Sequence, residues 1–217
     1  MVRGRDDRVI GVIDDDEAGP ADLDASEVAT AIHCFRQGML APALRRLRPR
    51  GRSGEHSLAG VYAVLHDAGY LLESLVLADP MEAAEINDRA QLAVAEAELR
   101  DRINERWMRR GVTMWDPERT YVDASVVLAP DVVLLPGVVL QGDTVVEAGA
   151  EIGPDCRLVD TEVGEGAVVA VSSATRATVG EHARVGPFAV LAPGAAVGAG
   201  EVVEPFTRLV ADDEQPT

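Results

Sequence analysis

The second half of this 217-residue chain carries aliphatic side chains at a spacing of six residues. The series comprises Val122, Leu128, Leu134, Leu140, Val146, Ile152 and Leu158, then Val163 and Val169, then Val179, Val185, Leu191, Val197, Val203 and Leu209. Six residues rotate an α-helix by about 600°, so these side chains would scatter around a helix. In an extended chain six is an even step, so all of them face one side. The period therefore predicts short strands that share one buried face.

Two further patterns have the same period. Compact residues follow most of the aliphatic positions after four residues: Val126, Val132, Val138, Thr144, Ala150, Cys156, Ala167, Ala183, Ala189 and Ala195. Corner-forming pairs lie between them, such as Pro136-Gly137, Gly142-Asp143 and Pro193-Gly194. Short strands with a corner at every sixth residue predict a hexapeptide-repeat β-helix, with about five coils over residues 122–210. The period slips at residues 158–163 and 172–178, and both segments are predicted to be loops that leave the solenoid.

Composition narrows the class of partner. The formal net charge of −17 argues against nucleic acid or an anionic membrane as the main partner. Aromatic residues make up 4% of the chain, which suits a thin solenoid core. No apolar run approaches the roughly 20 residues of a membrane span, and two cysteines make neither a disulfide framework nor a metal cluster. We expect a soluble, cytoplasmic protein.

The chain divides into four predicted parts. Residues 1–80 form a small α/β piece with strands at 9–13, 27–35 and 71–77 and helices at 39–47 and 57–67. Residues 81–111 form a connecting helix, capped by Asn87 or Asp88, with an apolar stripe. That stripe consists of Leu92, Ala95, Leu99 and Ile103. Residues 112–210 form the β-helix, and residues 211–217 an acidic tail.

Several motifs in this order resemble a bacterial family. The segment from Ile86 to Leu92 is similar to that family's VNNRxQL, and Val185-Gly186-Pro187-Phe188 to its IGPF. Gly111-Val112, Asp116-Pro117 and Val122-Asp123 match its GV, DP and VD. The family is the bifunctional UDP-N-acetylglucosamine pyrophosphorylase and glucosamine-1-phosphate N-acetyltransferase, and the chain resembles its middle portion, nearest to actinobacterial members. The resemblance implies a partial nucleotidyltransferase-like α/β piece, a long connecting helix, a left-handed β-helix and a homotrimer assembled through that β-helix.

The resemblance also implies ligands and site residues. Asp14 stands where the family has a glutamate, and Asn87 matches a ligand of the metal and of the nucleotide sugar. Magnesium, acetyl-CoA and a UDP-N-acetylglucosamine-type ligand are implied in the same way. Ala29 and Ala192, however, replace an asparagine and an arginine of the family, and Val210 and Ala211 replace a lysine and an asparagine.

The other binding and catalytic residues of the family would precede Met1 or follow Thr217. The phosphate-binding loop belongs to the first region, and the catalytic histidine and acetyl-CoA coils belong to the second. The chain is therefore predicted to be truncated relative to the family and catalytically incomplete, and no catalytic residue is assigned. Two alternatives are a non-enzymatic trimeric scaffold, or partner of a full-length paralogue, and a stand-alone hexapeptide acyltransferase.

Each polar candidate also has a structural interpretation. Asn87 can serve as a helix cap, because a single amide oxygen is a poor magnesium site. The acidic run 14–17 can be a solvated loop, and His182 can be an exposed corner residue without a catalytic partner. The arginines at 45, 46, 48, 50 and 52 can interact with a helix dipole rather than a phosphate. Cys156 is predicted to fill a compact core position.

Overall fold

The computed structural model describes residues 1–13, 19, 27, 29–30, 32–48 and 57–211. The chain separates into two compact units, Met1–Gln91 and Leu92–Thr217. Within the described ranges, no helix is both long and apolar enough to cross a membrane.

The second unit contains three parallel sheets of two- and three-residue strands. The first sheet consists of β3 Thr113–Met114, β6 Val133–Leu134, β9 Glu151–Ile152, β12 Val168–Val169, β15 Arg184–Val185 and β18 Val202–Val203. The second consists of β4 Tyr121–Val122, β7 Val139–Gln141, β10 Arg157–Val159, β13 Ser173–Thr175, β16 Val190–Leu191 and β19 Arg208–Leu209. The third consists of β5 Val127–Leu128, β8 Val145–Val146, β11 Glu162–Val163, β14 Thr178–Val179 and β17 Ala196–Val197. The chain visits the sheets in rotation, so the predicted hexapeptide-repeat β-helix is confirmed.

The core of the β-helix is made of the side chains that the six-residue period predicts. All the predicted aliphatic positions are buried except Leu209, which is partly buried in the last coil. The compact positions are buried as well, from Val126 to Ala195. Parallel pairing stacks equivalent side chains, so Leu140 lies beside Leu158 and Val146 beside Val163. Each coil therefore buries its apolar side chains against the neighbouring coils.

The two predicted loops are wrong. Leu140 pairs with Leu158 and Leu158 pairs with Ala174, so residues 158–163 and 172–178 stay within the ladders and merely shorten the coil. Three corners achieve this with one residue in the left-handed conformation: Asp160 (φ 48°), Val171 (φ 44°) and Arg176 (φ 47°). Corners of regular length, such as the one at Asp131, also contain one left-handed residue, so the slip reflects one residue fewer between buried positions and not a different corner conformation.

Buried polar groups complete the hydrogen bonding at the short coils. Thr144 Oγ1 accepts from the Thr161 N–H (3.3 Å), and Ser172 Oγ accepts from the Ala189 N–H (3.0 Å). The Cys156 thiol donates to the Val169 carbonyl (3.3 Å), and burial raises the pKa of this thiol. The predicted compact core role of Cys156 is confirmed, because its side chain is buried.

A long helix, α3, spans Arg89–Met108, and its C-terminal part closes the first coil of the β-helix. Ile103 and Trp107 join the β-helix core there. Asn104 is buried, and its Nδ2 donates to the carbonyls of Pro117 and Thr120, both at 2.9 Å. This contact fixes the 3₁₀ turn Pro117–Arg119 before β4.

The predicted apolar stripe of α3 is largely wrong. Leu92 and Leu99 are 43% and 56% exposed, and only Ile103 of that stripe is buried. The buried face instead runs through Ile103, Asn104 and Trp107, because only the C-terminal turns of the helix reach the first coil.

The described residues of the first unit contain little regular structure. They form an antiparallel pair, β1 Val2–Arg3 and β2 Val9–Gly11, the helices α1 Leu40–Leu44 and α2 Gly60–Asp67, and a 3₁₀ turn at Pro80–Ala83. Its core is small and centres on Ala43, Val61 and Leu65.

Two predicted strands of the first unit are wrong over the described residues. Residues 71–77 and 32–35 belong to no strand, and the sheet found among the described residues of this unit consists of β1 and β2. Leu71 and Leu75 are 63% and 89% exposed. Alternating apolar residues predict a strand only if a neighbouring strand supplies hydrogen bonds.

Candidate functional site

Asn87 lies at the start of α3, and its neighbours form a helix cap. Asp88 Oδ1 accepts a hydrogen bond from the Gln91 N–H (2.8 Å), and Gln91 Oε1 accepts one from the Asn87 N–H (2.6 Å). These reciprocal bonds satisfy two backbone donors, as in a capping box. The predicted cap is thus confirmed at Asp88, and the Asn87 side chain is exposed beside it.

Substitutions at these two positions have opposite expected outcomes. Asp88→Ala removes the cap and is expected to lower the free energy of unfolding by about 1 kcal/mol. Asn87→Ala removes an exposed side chain and is expected to change it by less than about 0.5 kcal/mol. Urea denaturation followed by circular dichroism measures both. Equal losses in the two variants would contradict the assignment of the cap to Asp88.

The implied magnesium site finds no support among the described side chains. Magnesium requires near-octahedral coordination by several oxygens, and Asn87 offers one exposed amide oxygen. No group of three or more His, Cys, Asp or Glu is arranged to hold a metal within the described part of the chain. Asp14 and the acidic run 14–17 lie outside the described residues, so their predicted roles stay predictions.

A cleft of about 420 Å³ lies in the first unit. Ala29, Thr30, His33 and Tyr62 are among its lining residues. The Tyr62 hydroxyl and His33 Nδ1 share a hydrogen bond of 2.5 Å, and burial raises the pKa of Tyr62. Ala29 contributes only a methyl group to the wall where the family resemblance places an asparagine. Other lining residues, such as Arg36, are polar as well, so the cleft keeps polar groups but lacks the amide that the resemblance places at position 29.

Arg3 and Glu27 form an ion pair in the same unit. Arg3 Nε and Nη2 donate to the two Glu27 oxygens at 2.7 and 2.8 Å, and Nη2 also donates to Ser74 Oγ at 3.0 Å. The hydrogen bonds from Arg3 lower the pKa of Glu27. A carboxylate held in this way stays ionised and engaged, so Glu27 is a structural residue rather than a general base.

The candidates on the β-helix are dispersed. His182 is exposed at a corner with φ 55°, and its N–H donates to the Glu165 carbonyl at 2.7 Å. Ala192 is half-buried, and its N–H donates to the Leu209 carbonyl at 2.9 Å. Val210 and Ala211 follow the last strand and present no polar side-chain atom.

The structure describes three of the five arginines in the run at 45–52. Arg45, Arg46 and Arg48 are exposed at the end of α1, where Arg45 is the C-cap residue, and this placement suits the helix dipole. Arg50, Arg52 and His56 lie outside the described residues.

Sequence reasoning missed one aromatic feature of the β-helix surface. Phe188 and Phe206 stack with their ring centroids 5.1 Å apart and their planes 13° from parallel, and both side chains are exposed. The available signal was the repeat of a Pro-Phe pair, at Pro187-Phe188 and again at Pro205-Phe206, one coil apart.

No protein-family model matches the chain. "Bifunctional protein GlmU" of Kineococcus radiotolerans is 44% identical to it over 191 residues, which are 88% of this chain and 39% of the relative. The protein of the same name from Streptomyces avermitilis is 40% identical over 196 residues, 90% of this chain and 41% of the relative. The predicted resemblance to the bifunctional family is therefore confirmed. The chain spans about two fifths of the length of these relatives.

Two solved structures overlap with about half of the chain. A perosamine N-acetyltransferase variant from Caulobacter crescentus is 23% identical and covers 52% of this chain and 60% of its own, with a TM-score of 0.35. The acetyltransferase domain of PglB from Neisseria gonorrhoeae is 17% identical and covers 50% and 63%, with a TM-score of 0.32. These overlaps are too small to add to what the strand pairing shows.

Proposed function

We propose that this chain, a relative of the bifunctional GlmU proteins over most of its length, performs neither of the two reactions of that family as it stands. These reactions are uridylyl transfer to N-acetylglucosamine 1-phosphate and acetyl transfer to glucosamine 1-phosphate. One observation carries the proposal: Ala29 and Ala192 stand where the resemblance places an asparagine and an arginine. Both substitutions lie inside the chain and not at its ends.

For uridylyl transfer, the cleft of the first unit supports the proposal. An asparagine supplies an acceptor and two donors to a sugar, whereas the Ala29 methyl supplies none. The nearby His33–Tyr62 pair already satisfies its own hydrogen bond. A sugar would therefore lose the hydrogen bonds of the amide at position 29, and a sugar hydroxyl left without its partner there weakens binding.

For acetyl transfer, the last coils of the β-helix support the proposal that the chain is inactive. A sugar phosphate is held in most sites by arginine or lysine, because charged donors make the strongest hydrogen bonds to phosphate oxygens. Ala192, Val210 and Ala211 offer no such donor. Arg208, one residue before Leu209, is exposed and belongs to the outward side of β19.

The full chain can be assayed for both reactions beside the Kineococcus relative as a positive control. We expect coenzyme A release from acetyl-CoA and glucosamine 1-phosphate to equal the rate without protein. We expect the same for pyrophosphate release from UTP and N-acetylglucosamine 1-phosphate with magnesium. Acetyl or uridylyl transfer above the background rate by this chain would overturn the proposal.

We also propose that the chain is a homotrimer assembled through its β-helix, either alone or mixed with a full-length paralogue. The exposed apolar side chains of the β-helix favour an assembly role, since large exposed apolar patches mark interaction sites. Light scattering tests this directly, because the monomer mass is 23.0 kDa and the trimer is expected at three times that value.

A further inference from the structure

The cleft of the first unit has the dimensions and the walls of a small-molecule site. Its volume of about 420 Å³ falls within the range of roughly 300–1,000 Å³ that is usual for such sites. Most of the described residues that line it are apolar, among them Val9 and Leu65, which are buried. The cleft therefore offers a ligand mainly apolar contacts.

Exposed apolar side chains also line the cleft. We call them the apolar rim: Ile32, Tyr70, Leu71 and Leu75. Ile32 is 70% exposed and Tyr70 48% exposed. A ligand that covers such side chains gains about 25 cal/mol for each Å² of apolar surface removed from water. The rim therefore favours an apolar ligand.

Three rings form an aromatic cluster in the wall of the cleft. The ring centroids of His33, Phe35 and Tyr62 lie 6.2, 5.6 and 6.1 Å apart in the three pairs. These separations are those of edge-to-face and offset aromatic packing, and the ring of a ligand packs against a cluster in the same geometries. The cluster therefore favours a ligand that contains an aromatic ring.

The same cluster supplies a hydrogen-bonding group. The Tyr62 hydroxyl and His33 Nδ1 bond to each other, and His33 Nε2 has no hydrogen-bond partner within the described part of the chain. Burial raises the pKa of Tyr62, so its hydroxyl stays protonated at neutral pH. The imidazole Nε2 donates or accepts according to its tautomer, and it suits a ligand with one polar group.

Other polar side chains of the lining are already engaged. Thr30 Oγ1 accepts from the Ile32 N–H (3.3 Å), and Ser74 Oγ accepts from Arg3 Nη2 (3.0 Å). The Cys34 thiol is a weak donor. A ligand with many hydroxyls would compete with hydrogen bonds that the protein already makes, so a ligand with few polar groups is favoured.

The charges at the cleft balance. Among the described residues, the lining and the ion pairs attached to it carry three charges of each sign: the Met1 amino group, Arg3 and Arg36, and Asp7, Glu27 and Glu73. Anionic groups such as phosphate are usually held by several cationic donors that lack an opposite charge of their own. Charge at this cleft therefore favours a neutral ligand.

We propose that this cleft binds a small, neutral and largely apolar molecule that contains an aromatic ring and one hydrogen-bonding group. The inference goes beyond the loss of the two transfer reactions and does not depend on it. A sugar nucleotide needs many hydrogen bonds and a counter-charge for its phosphates. The apolar rim, the aromatic cluster and the Ala29 methyl supply contacts of the opposite kind.

The probe is N-phenylnaphthylamine, which is neutral and fluoresces more strongly in apolar surroundings. We expect the full chain to bind it saturably, at one molecule per chain, with a Kd on the order of 10 µM. Anilinonaphthalene sulfonate has the same rings and one negative charge. We expect it to bind at least about tenfold more weakly, because its charge loses water without gaining a free cation. A sulfonate that binds as tightly as the neutral probe would overturn the neutral ligand.

A variant of the apolar rim locates the probe. Ile32→Asn with Leu75→Asn makes the rim polar and leaves the core intact, because both side chains are exposed. We expect it to raise the Kd of the neutral probe at least about tenfold. The matched control is Val76→Asn with Ile86→Asn, since these side chains are 74% and 51% exposed in the same unit and are not among the lining residues. The control is expected to bind like the unchanged chain.

Every other result rejects the proposal. An unchanged chain without saturable binding would leave a polypeptide segment as the occupant of the rim. Undiminished binding by the rim variant would place the probe elsewhere, for example at the exposed Phe188 and Phe206. Equal weakening in the control would mean adsorption to apolar surface in general. If the rim variant loses its helical circular dichroism, Leu71→Ser applies the same test, and undiminished binding there rejects the cleft.

Discussion

Leu158→Ala is expected to lower the free energy of unfolding of the β-helix by about 2–5 kcal/mol. Leu158 is fully buried and stacks between Leu140 in the preceding coil and Ala174 in the following one. Ala174 is already small, and the strands on both sides are fixed by their ladders. Neighbouring side chains therefore cannot collapse into the space, and the cavity adds to the lost hydrophobic transfer energy.

Val127→Ala is the matched control for Leu158→Ala. Val127 lies in β5 of the same β-helix but points outward, with 51% of its surface exposed. We expect its loss to change the free energy of unfolding by less than about 0.5–1 kcal/mol. Urea denaturation followed by far-ultraviolet circular dichroism measures both variants. A loss below 1 kcal/mol in Leu158→Ala would mean that the coil can repack, contrary to the rigid stack described here.

Gly186→Ala is the second substitution with a large expected effect. Gly186 has φ 97°, and a Cβ atom there would collide with the Ala170 carbonyl oxygen and with Ser172 Oγ. These two atoms share a hydrogen bond of 2.7 Å, which the methyl group would break. The strained backbone, the collision and the lost hydrogen bond together are expected to lower the free energy of unfolding by about 3–5 kcal/mol.

Gly200→Ala separates backbone strain from collision. Gly200 also has a left-handed backbone, with φ 69°, but a Cβ there would meet no atom of the described residues within 4 Å. We expect it to lower the free energy of unfolding by about 1 kcal/mol. The difference between the two variants in urea midpoint reports the collision together with the lost hydrogen bond. Equal losses would show that Gly186 is required only for its backbone conformation.

The β-helix could be predicted from the sequence because its structure repeats. Every coil needs a buried aliphatic side chain at each strand. Positions such as Leu134, Leu140 and Ile152 therefore all predict the same register. The two slips were misjudged because a corner can be one residue shorter without leaving its ladders, as between Leu158 and Val163.

The first unit was less predictable because nothing in it repeats. Its apolar residues at 71–77 suggest a strand, but a strand exists only through pairing with a distant segment. The stripe on α3 failed for a related reason. Leu99 and Ile103 lie on one face of the helix, and only the helix position relative to the first coil decides that Ile103 is buried and Leu99 exposed.

Candidate site residues were predicted mainly by resemblance. The substitutions Ala29 and Ala192 can be read directly from the chain, and so can the absence of polar atoms in their side chains. The role of Asp88 as the cap, with Asn87 beside it, required the hydrogen bonds of Gln91. A polar residue near a helix start suits both a cap and a ligand, and geometry alone distinguishes the two roles.

The sequence by itself determined the repeating architecture and the buried face of each strand, because both follow from a local period that any extended chain must obey. The tertiary structure decided which outward residues become neighbours. Phe188 and Phe206 lie one coil apart, and their rings stack only because the folded corners of the two coils bring both side chains to the same exposed edge.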